Sequence, residues 1–404
     1  MSTVNEIKEV FEDLRDDHMN LNACYQCGEC TAVCPMRRVS KFSPRSFIEM
    51  RHEIIGGASH EEWRNMCLLC GACYMKCPQC VDFPQFIIQI RSSLGVPDDV
   101  LAHRELSLIS EIMSSPSIRS EKTELKGETS NKSDIGYFPG CLSYFDLFMD
   151  VSGVNYREIG DYSVKLLNII GIKPRILPLK CCGHDMLFQG KRDVFERLMN
   201  FNRNYVKEND IKMIVFSCAE GYYTFKRYYD MDVEIVHISR LLAEHAYEIE
   251  SVIEVGNRER EDADSAYGES GCASGGEKLR VAYHDPCALK MLREYDAPRE
   301  VLRRISCVDL VELPHARDDA LCCGVSGMMF CNDLTKALRT LRMNEVREVG
   351  ADFLVTTCVK CLSHFNCLKM ERMNEMRGGT YNFEIMDLSV FLGKLIDGSI
   401  VKRK

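Results

Sequence analysis

Two runs of cysteines near the amino terminus have the spacing of a metal-cluster ligand set. Each run reads C-x2-C-x2-C-x3-C-P, with Cys24, Cys27, Cys30 and Cys34 in the first and Cys67, Cys70, Cys73 and Cys77 in the second. In bacterial ferredoxins with this run, the fourth cysteine binds the neighbouring cluster. The spacing therefore predicts one [4Fe–4S] cluster on Cys24, Cys27, Cys30 and Cys77, and another on Cys67, Cys70, Cys73 and Cys34.

Zinc is the alternative for cysteines so close together, but the spacing disfavours it. A zinc ion takes two C-x2-C pairs, not three cysteines in three-residue steps followed by Cys-Pro. Residues 42–55, between the two runs, have the pattern of a helix. We therefore expect residues 1–112 to form a helical ferredoxin-type domain, in which Cys80 has no ligand role.

A second set of cysteines lies in the last third of the chain, at Cys287, Cys322, Cys323, Cys358 and Cys361. Adjacent cysteines in an extended segment point to opposite faces, and a disulfide between them would be strained. A large polynuclear site avoids both difficulties, and Gly324 lets the backbone approach it closely. Five thiolates also exceed what one cubane or one zinc ion needs.

The chain from residue 135 onwards is a duplication. YFPGC at 137–141 matches YHDPC at 283–287, KCCG at 180–183 matches LCCG at 321–324, and IVFSCAEG at 214–221 matches LVTTCVKC at 354–361. The first copy contains Cys141, Cys181, Cys182 and Cys218. It has Gly221 where the second copy has Cys361, so it lacks the fifth cysteine.

Both copies alternate strand-like and helix-like segments, which predicts an α/β fold with mostly parallel sheets. Strands are expected near 135–139, 175–178, 212–217 and 233–237, and again near 279–284, 309–313, 351–357 and 383–387. Ligands bind beyond the carboxyl ends of such strands, so we expect the cysteines of each copy to converge. Two polar stretches, 113–134 and 251–278, are predicted linkers, which leaves halves at 135–250 and 279–404.

The composition excludes several classes of protein. The 404 residues are 46% hydrophobic and 27% charged, as in a soluble globular protein, and the formal charge of −9 argues against a nucleic-acid partner. A chain of this length can bury its own core without disulfides, so 22 cysteines indicate metal or redox chemistry. We expect a cytoplasmic protein, held at the inner face of the membrane where a partner recruits it.

The segment CYQCGECTAVCP at 24–35 resembles the ferredoxin component of the heterodisulfide reductase family, and the duplicated CCG region resembles its catalytic component. A single chain with both parts is similar to the fused, D-type member of that family. The resemblance implies a noncubane [4Fe–4S] cluster on Cys287, Cys322, Cys323, Cys358 and Cys361. For the first copy, which lacks the fifth cysteine, zinc, a modified iron–sulfur cluster and no metal at all stay open.

The resemblance further implies reduction of a thiol–thiol disulfide by electrons relayed through the two ferredoxin clusters. His284, beside Cys287, is a candidate proton donor because histidine titrates near neutral pH. The alternative is that His284 only forms local hydrogen bonds. For His184 we expect local hydrogen bonding. The competing function is a non-catalytic electron-transfer subunit of a flavin-linked dehydrogenase or quinone-linked membrane complex. Since no G-x-G-x-x-G motif is present, either function requires a redox partner, a membrane b-type cytochrome or an FAD-containing dehydrogenase subunit.

Overall fold

The computed structural model of the protein describes residues 19–51, 53, 65–120, 122–149, 152–263, 277–325, 331–374 and 381–400. Its α-helices, in chain order, are α1 Glu29–Ala32, α2 Pro44–Glu49, α3 Ala72–Met75, α4 Phe83–Leu94, α5 Arg104–Met113, α6 Leu142–Phe148, α7 Arg157–Ile169, α8 His184–Phe188, α9 Arg192–Glu208, α10 Ala219–Tyr228, α11 Ile238–Glu244, α12 Ala246–Ala263, α13 Cys287–Met291, α14 Ala297–Arg304, α15 Asp333–Glu348, α16 Val359–Asn374 and α17 Leu388–Asp397. Among these, none is long and apolar enough to cross a membrane.

Eight strands form two parallel sheets of four strands each. They are β1 Ile135–Phe138, β2 Arg175–Ile176, β3 Met213–Phe216, β4 Glu234–His237, β5 Leu279–Tyr283, β6 Val308–Val311, β7 Phe353–Thr356 and β8 Glu384–Asp387. The strand orders are β2-β1-β3-β4 and β6-β5-β7-β8, so the two sheets have the same topology. The predicted α/β fold with parallel sheets is confirmed.

The inner strands are buried on both faces, as expected for parallel sheets covered by helices. In β3, Ile214, Val215 and Phe216 are fully buried, and Phe353 in β7 is nearly so. Continuous apolar runs of this kind form central strands, because alternating polar residues would leave charges against the covering helices. The sheet edges that carry the cysteines are thereby held on a rigid base.

The two halves pack directly against each other. α7 of the first half lies against α17 of the second, and the hydroxyls of Ser163 and Ser389 are 3.1 Å apart at that contact. The backbone N–H of Ala219 donates to the carbonyl of Thr357 across the interface at 3.0 Å. The carboxyl ends of β3 and β7 are therefore brought side by side.

The ferredoxin-type region is built around the apolar helix α4. Asp82 caps this helix by accepting from the backbone N–H of Gln85 at 3.0 Å, and Phe83 packs edge-on against Phe47 of α2. The helix predicted over 42–55 is present as α2, which Ser43 caps; Arg51 and Glu53 are also helical, and the rest of the predicted segment lies outside the described residues.

The two predicted linkers are more ordered than their composition suggests. α12 continues to Ala263, well into the stretch 251–278, because Ile249 and Ile253 fall on one face of the helix and are buried in the core. Residues 264–276 lie outside the described chain. In the first linker, Leu125 packs closely against Gly160. A Cβ added to Gly160 would lie 2.7 Å from Cδ2 of Leu125. This linker therefore follows the surface of the first half instead of leaving it.

Candidate iron–sulfur sites

Cys24, Cys27, Cys30 and Cys77 lie around one small cavity, although Cys77 comes from the second run. We call these four residues the outer group. Burial raises the pKa of Cys30, and the neighbouring thiols of Cys24, Cys27 and Cys77 raise it further. The structure thus brings together the four residues that the spacing assigned to one cluster.

Cys34, Cys67, Cys70 and Cys73 form a second, more deeply buried set, which we call the inner group. Burial raises the pKa of Cys34, and the charges of Cys70 and Cys67 add to that effect, so these thiols are neighbours. None of the four is more than 8% exposed, whereas Cys27 of the outer group is exposed. The two groups therefore differ in access to solvent and to other proteins.

Matching glycines form the cysteine loops of both runs. Gly28 and Gly71 each precede a short helix, α1 or α3, with φ of +90° and +72°, a conformation that side chains with a Cβ rarely adopt. A Cβ at position 71 would also lie 2.3 Å from Cγ of Met291 in α13. Gly71 therefore permits both the turn and the close approach of the second half.

The inner group touches the cysteines of the second half. The thiols of Cys70 and Cys322 are in hydrogen-bonding contact, which lowers the pKa of Cys70 to about 6 against the opposing effect of burial, with help from the nearby Lys290 ammonium. Lys290 is held in place because its Nζ donates to the carbonyl of Ala320 at 3.0 Å. No stretch of protein separates the two sets of sulfur atoms.

The five cysteines of the second half converge into one site. Cys322 is in contact with Cys287 and Cys323, and Cys361 is in contact with Cys323 and Cys358. The sulfur atoms of Cys361 and Cys323 are 3.1 Å apart. Because these sulfurs face one another and four of the five cysteines are buried, the set fits a polynuclear metal cluster.

His284 lies against this site and is fully buried. Nε of Arg342 donates to its Nδ1 at 3.1 Å, so the proton of the neutral ring sits on Nε2. Burial lowers the pKa of His284, although its hydrogen bond with Cys323 opposes that shift. At neutral pH the ring is therefore neutral, and one of its nitrogens lies within 4.8 Å of the sulfur atoms of Cys323 and Cys361.

The four cysteines of the first half also line one cavity. The sulfur atoms of Cys141 and Cys181 are 3.8 Å apart, and Cys182 contacts Cys181. Cys181 also accepts hydrogen bonds of 3.4 Å from Ser110 Oγ and from the backbone N–H of Gly183. Four converging thiols with hydrogen-bond support fit either tetrahedral zinc or an iron–sulfur cluster.

Aromatic rings surround the position where the first half lacks a fifth cysteine. A Cβ on Gly221 would lie 3.3 Å from Cδ1 of Phe216 and 3.9 Å from Cε1 of Phe138. Phe138 also takes the place that His284 has in the second copy. At these two positions the first half-site is therefore the more apolar.

A charged group that the sequence analysis missed lies between the half-sites. Nζ of Lys360, between Cys358 and Cys361, is 2.6 Å from Oε2 of Glu220 and also pairs with Asp185. Burial lowers the pKa of Lys360, but the two carboxylates outweigh it and the pKa is raised overall. The only signal in the sequence was the opposite charge at the matched positions 220 and 360.

His184 belongs to the same buried group. Its Nδ1 is 3.2 Å from Oδ1 of Asp185 and 3.5 Å from Oε2 of Glu220, a donor set that alone would suit a metal ion. Burial raises the pKa of Asp185, yet the Lys360 ammonium and the bond from His184 outweigh burial and lower it overall. The Lys360 ammonium already fills the role of the cation.

Arg91 links the inner group to the first half through hydrogen bonds, and the sequence did not lead us to expect this role. Its side chain is fully buried, and it donates to the carbonyl of Cys67 at 2.7 Å and to the carbonyl of Phe188 at 2.8 Å. A single arginine in the apolar helix FPQFIIQIRSSL is a visible signal, because a buried guanidinium must find acceptors. The inner group therefore contacts both halves.

Comparison with known proteins gives the same domain order, a ferredoxin-type domain followed by two cysteine-rich halves. Residues 20–81 match a family described as a 4Fe-4S dicluster domain, and residues 135–226 and 281–366 match the Cysteine-rich domain family. A crystal structure of a hypothetical protein from Helicobacter pylori aligns with a TM-score of 0.51 at 11% identity, covering 98% of this chain and 77% of that one. The protein is thus an iron–sulfur protein that joins a dicluster domain to two cysteine-rich domains.

Relatives that match over most of their length show which iron–sulfur proteins this chain resembles. The D-type component of the dihydromethanophenazine:CoB–CoM heterodisulfide reductase of Methanosarcina barkeri is 24% identical, with 85% of this chain and 88% of that protein covered. The B-type component of the fumarate reductase (CoM/CoB) of Methanothermobacter marburgensis is 26% identical, with 93% and 74% covered. An uncharacterized iron–sulfur protein of Methanocaldococcus jannaschii is 24% identical, with 94% and 74% covered. The chain is an iron–sulfur protein that resembles the D-type component of heterodisulfide reductase. It therefore belongs with iron–sulfur oxidoreductases and electron-transfer subunits.

Proposed function

We propose that this iron–sulfur protein reduces a thiol–thiol disulfide at the five-cysteine site of its second half. The contact between Cys70 and Cys322 carries the proposal, because it joins the inner group directly to that site. A disulfide needs two electrons, so an electron supply must lie within a short distance of the reacting sulfurs. The inner group meets that requirement.

The proposed clusters supply one-electron transfer, and the protein sets their order. Cys27 is exposed, so the outer group faces the redox partner, while the buried inner group faces the second half. We assign one [4Fe–4S] cluster to the outer group and one to the inner group. The order from partner to site is then outer group, inner group and five-cysteine site.

At the five-cysteine site, which we assign to a noncubane [4Fe–4S] cluster, the protein's own groups position the sulfurs and exclude water. Cys287 is half-buried, and the other four cysteines are buried, so a substrate approaches from the side of Cys287. His284 holds a proton on Nε2, and one of its ring nitrogens lies within 4.8 Å of the sulfur atoms of Cys323 and Cys361. Because its ring is neutral at neutral pH, we assign His284 the role of stabilising a departing thiolate by hydrogen bonding, while the proton itself comes from solvent.

In the first half we assign zinc or a modified iron–sulfur cluster to Cys141, Cys181, Cys182 and Cys218. The support is the convergence of four thiols around one cavity. The Lys360 ammonium lies against the two carboxylates in that cavity, so the cysteines are the donor set available to a metal.

One observation favours a second function, that of an electron-transfer subunit with no substrate of its own. Gly221 and Phe138 leave the first half without a fifth thiol and without a histidine at the position of His284, so the two half-sites cannot act as a matched pair. In that case the chain passes electrons between partner proteins of a complex. For either function the partner is a membrane b-type cytochrome or an FAD-containing protein, and the location is the cytoplasmic face of the membrane.

Anaerobic purification followed by spectroscopy separates the two functions. Iron and zinc are counted per chain, and EPR spectra of the oxidised protein are recorded with and without a small thiol. Disulfide reduction predicts a thiol-dependent paramagnetic signal that is lost in Cys323→Ser and kept in Cys80→Ser. If thiols leave the spectrum unchanged while a reduced flavoprotein still reduces the clusters, the protein is a relay and the reductase proposal fails.

A further inference from the structure

A cavity of about 370 Å³ lies where the ferredoxin-type region meets the second half. Its walls include the apolar Met36, Met66 and Leu334, with Asn65, Asp99 and Cys331 among the polar groups. The volume is in the range of pockets that hold small organic molecules, and apolar walls with a few polar groups are typical of such pockets. None of the predicted ligand cysteines lines this cavity.

The cavity lies next to the inner group. Met36 comes two residues after Cys34, and Met66 immediately precedes Cys67, so one wall is formed by the chain that carries two inner cysteines. The opposite wall is formed by the start of α15. This wall lies close to Gly324, which directly follows Cys323, because a Cβ added to Gly324 would lie 2.8 Å from the carbonyl oxygen of Thr335. A molecule in the cavity would therefore be close to both proposed redox sites.

Cys331 offers an exposed thiol at this cavity. The neighbouring His364 side chain lowers the pKa of the thiol, so a larger share is thiolate at neutral pH. Nδ1 of His364 is in turn 2.9 Å from the carbonyl oxygen of Cys323. One imidazole ring thus separates Cys331 from the five-cysteine site.

Asn65 provides an independent sign that a ligand belongs here. It lines the cavity, is only 6% exposed, and its amide oxygen has no hydrogen-bond partner among the residues that the structure describes. A buried acceptor without a partner costs about 1–3 kcal/mol, so a ligand with an N–H group would be favoured there. Amide N–H groups are the common donors of cysteine-containing peptides.

We propose that Cys331 is a disulfide-exchange site for a small, amide-bearing disulfide that binds in this cavity. The thiolate attacks one sulfur of the substrate, a sulfur–sulfur bond to Cys331 forms, and the substrate's own bond breaks. The other half leaves as a thiolate, which takes the proton that Cys331 gave up to solvent, so no electrons are needed for this step. This inference deepens the proposed disulfide reductase function by naming the substrate class and a second reacting thiol.

The test uses the purified, oxidised holoprotein with glutathione disulfide, under anaerobic conditions and without any reductant. Peptide mapping by mass spectrometry measures the rate of mixed-disulfide formation at Cys331 and at Cys80, which is also an exposed cysteine. We expect Cys331 to react about tenfold faster or more than Cys80, because Cys331 lies at a binding cavity and its pKa is lowered. Equal rates, or faster reaction at Cys80, would overturn the proposal.

A cavity-filling variant separates binding from simple exposure. Leu334→Phe should slow the glutathione adduct about tenfold while leaving the reaction with the much smaller methyl methanethiosulfonate unchanged, because only the larger reagent needs the cavity. If both reagents react with the variant as with the wild type, the cavity does not bind the disulfide and the proposal fails.

The exchange step and the proposed reductase function fail in different ways. If the adduct forms at Cys331 but reduced partner protein never consumes the disulfide, the exchange site stands and the reductase function is wrong. If disulfide is consumed while no adduct forms at Cys331, the reductase function stands and the exchange site is wrong.

Discussion

Glu220 and Lys360 occupy matched positions of the two copies, and their charged atoms lie 2.6 Å apart across the interface of the halves. Each follows a matched cysteine by two residues, Cys218 in the first copy and Cys358 in the second. A duplication that kept the same residue at both positions would place like charges together. Opposite charges turn this symmetric contact into an ion pair between the cysteine sites of the two halves.

Lys360→Met is expected to destabilise the protein by about 3–5 kcal/mol, because it leaves the buried Asp185 and Glu220 without a cation. The measurement is the change in urea midpoint of the anaerobic protein. Lys394→Met is the matched control, since Lys394 pairs with Glu158 at 3.3 Å between the same halves but is partly exposed, and it should cost under about 1 kcal/mol. The combination of Lys360→Met with Asp185→Asn and Glu220→Gln should recover most of the loss. Equal effects of the two lysine variants would contradict this account.

Cys77→Ser should remove the same cluster as Cys27→Ser, although the two residues belong to different runs. The reason is that Cys77 lines the cavity of the outer group, so its loss removes one of four proposed ligands there. EPR of the reduced protein and iron per chain measure this. Cys34→Ser should instead match Cys67→Ser, and Cys80→Ser should change neither signal. If Cys77→Ser resembles Cys67→Ser, each run binds its own cluster.

Gly190→Ala should loosen the ferredoxin-type region from the first half. Gly190 has φ of +80°, and a Cβ there would lie 2.4 Å from the backbone of Arg91 and Ser92 in α4. Backbone strain and the clash together should cost about 3 kcal/mol or more. Limited proteolysis and the urea midpoint measure the effect.

Gly171→Ala is the control for this prediction. Gly171 has nearly the same φ, +82°, but no atom of the described residues beyond its chain neighbours lies within 4 Å of the position of its Cβ. It should therefore cost only the backbone strain, about 1–2 kcal/mol. A Gly171→Ala variant as unstable as Gly190→Ala would mean that the clash with α4 contributes nothing.

Asp387→Asn should make the protein more stable at pH 8, and the gain should be clearly smaller at pH 5. Burial raises the pKa of Asp387 to about 7, so the folded state holds this proton up to higher pH than the unfolded state does. The contribution of Asp387 to the free energy of unfolding is therefore complete below about pH 4. It is lost as the pH rises toward 7, and the loss is roughly 4 kcal/mol at most. Asparagine keeps the cap of α17, where Asp387 Oδ1 accepts from the Ser389 N–H at 2.8 Å.

The measurement is the difference in urea midpoint between wild type and variant from pH 5 to 8, because the difference cancels the other titrating groups. Asp397→Asn serves as a comparison, since this carboxylate at the end of the same helix is more exposed. A difference between wild type and Asp387→Asn that stays constant over this range would show that the carboxyl titrates alike in both states.

Much of the fold was predictable because it depends on near neighbours in the sequence. Strands such as Met213–Phe216 and Phe353–Thr356 were expected from short apolar runs, and the duplication from matched segments. The predicted linker at 251–278 was expected to be irregular from its charge. There the buried pair Ile249 and Ile253 extends α12 to Ala263, because packing against the core outweighs local composition.

The sequence by itself determined which cysteines are candidate ligands and how they are grouped, since spacing and residue type are local properties. It could not show that Cys70 meets Cys322, that Arg91 reaches Phe188, or that Lys360 lies between two carboxylates. These contacts join residues that are far apart in the chain, and they form only when whole modules pack on each other. The tertiary structure therefore decided how the sites are connected, because the docking of buried surfaces, and not local spacing, sets those distances.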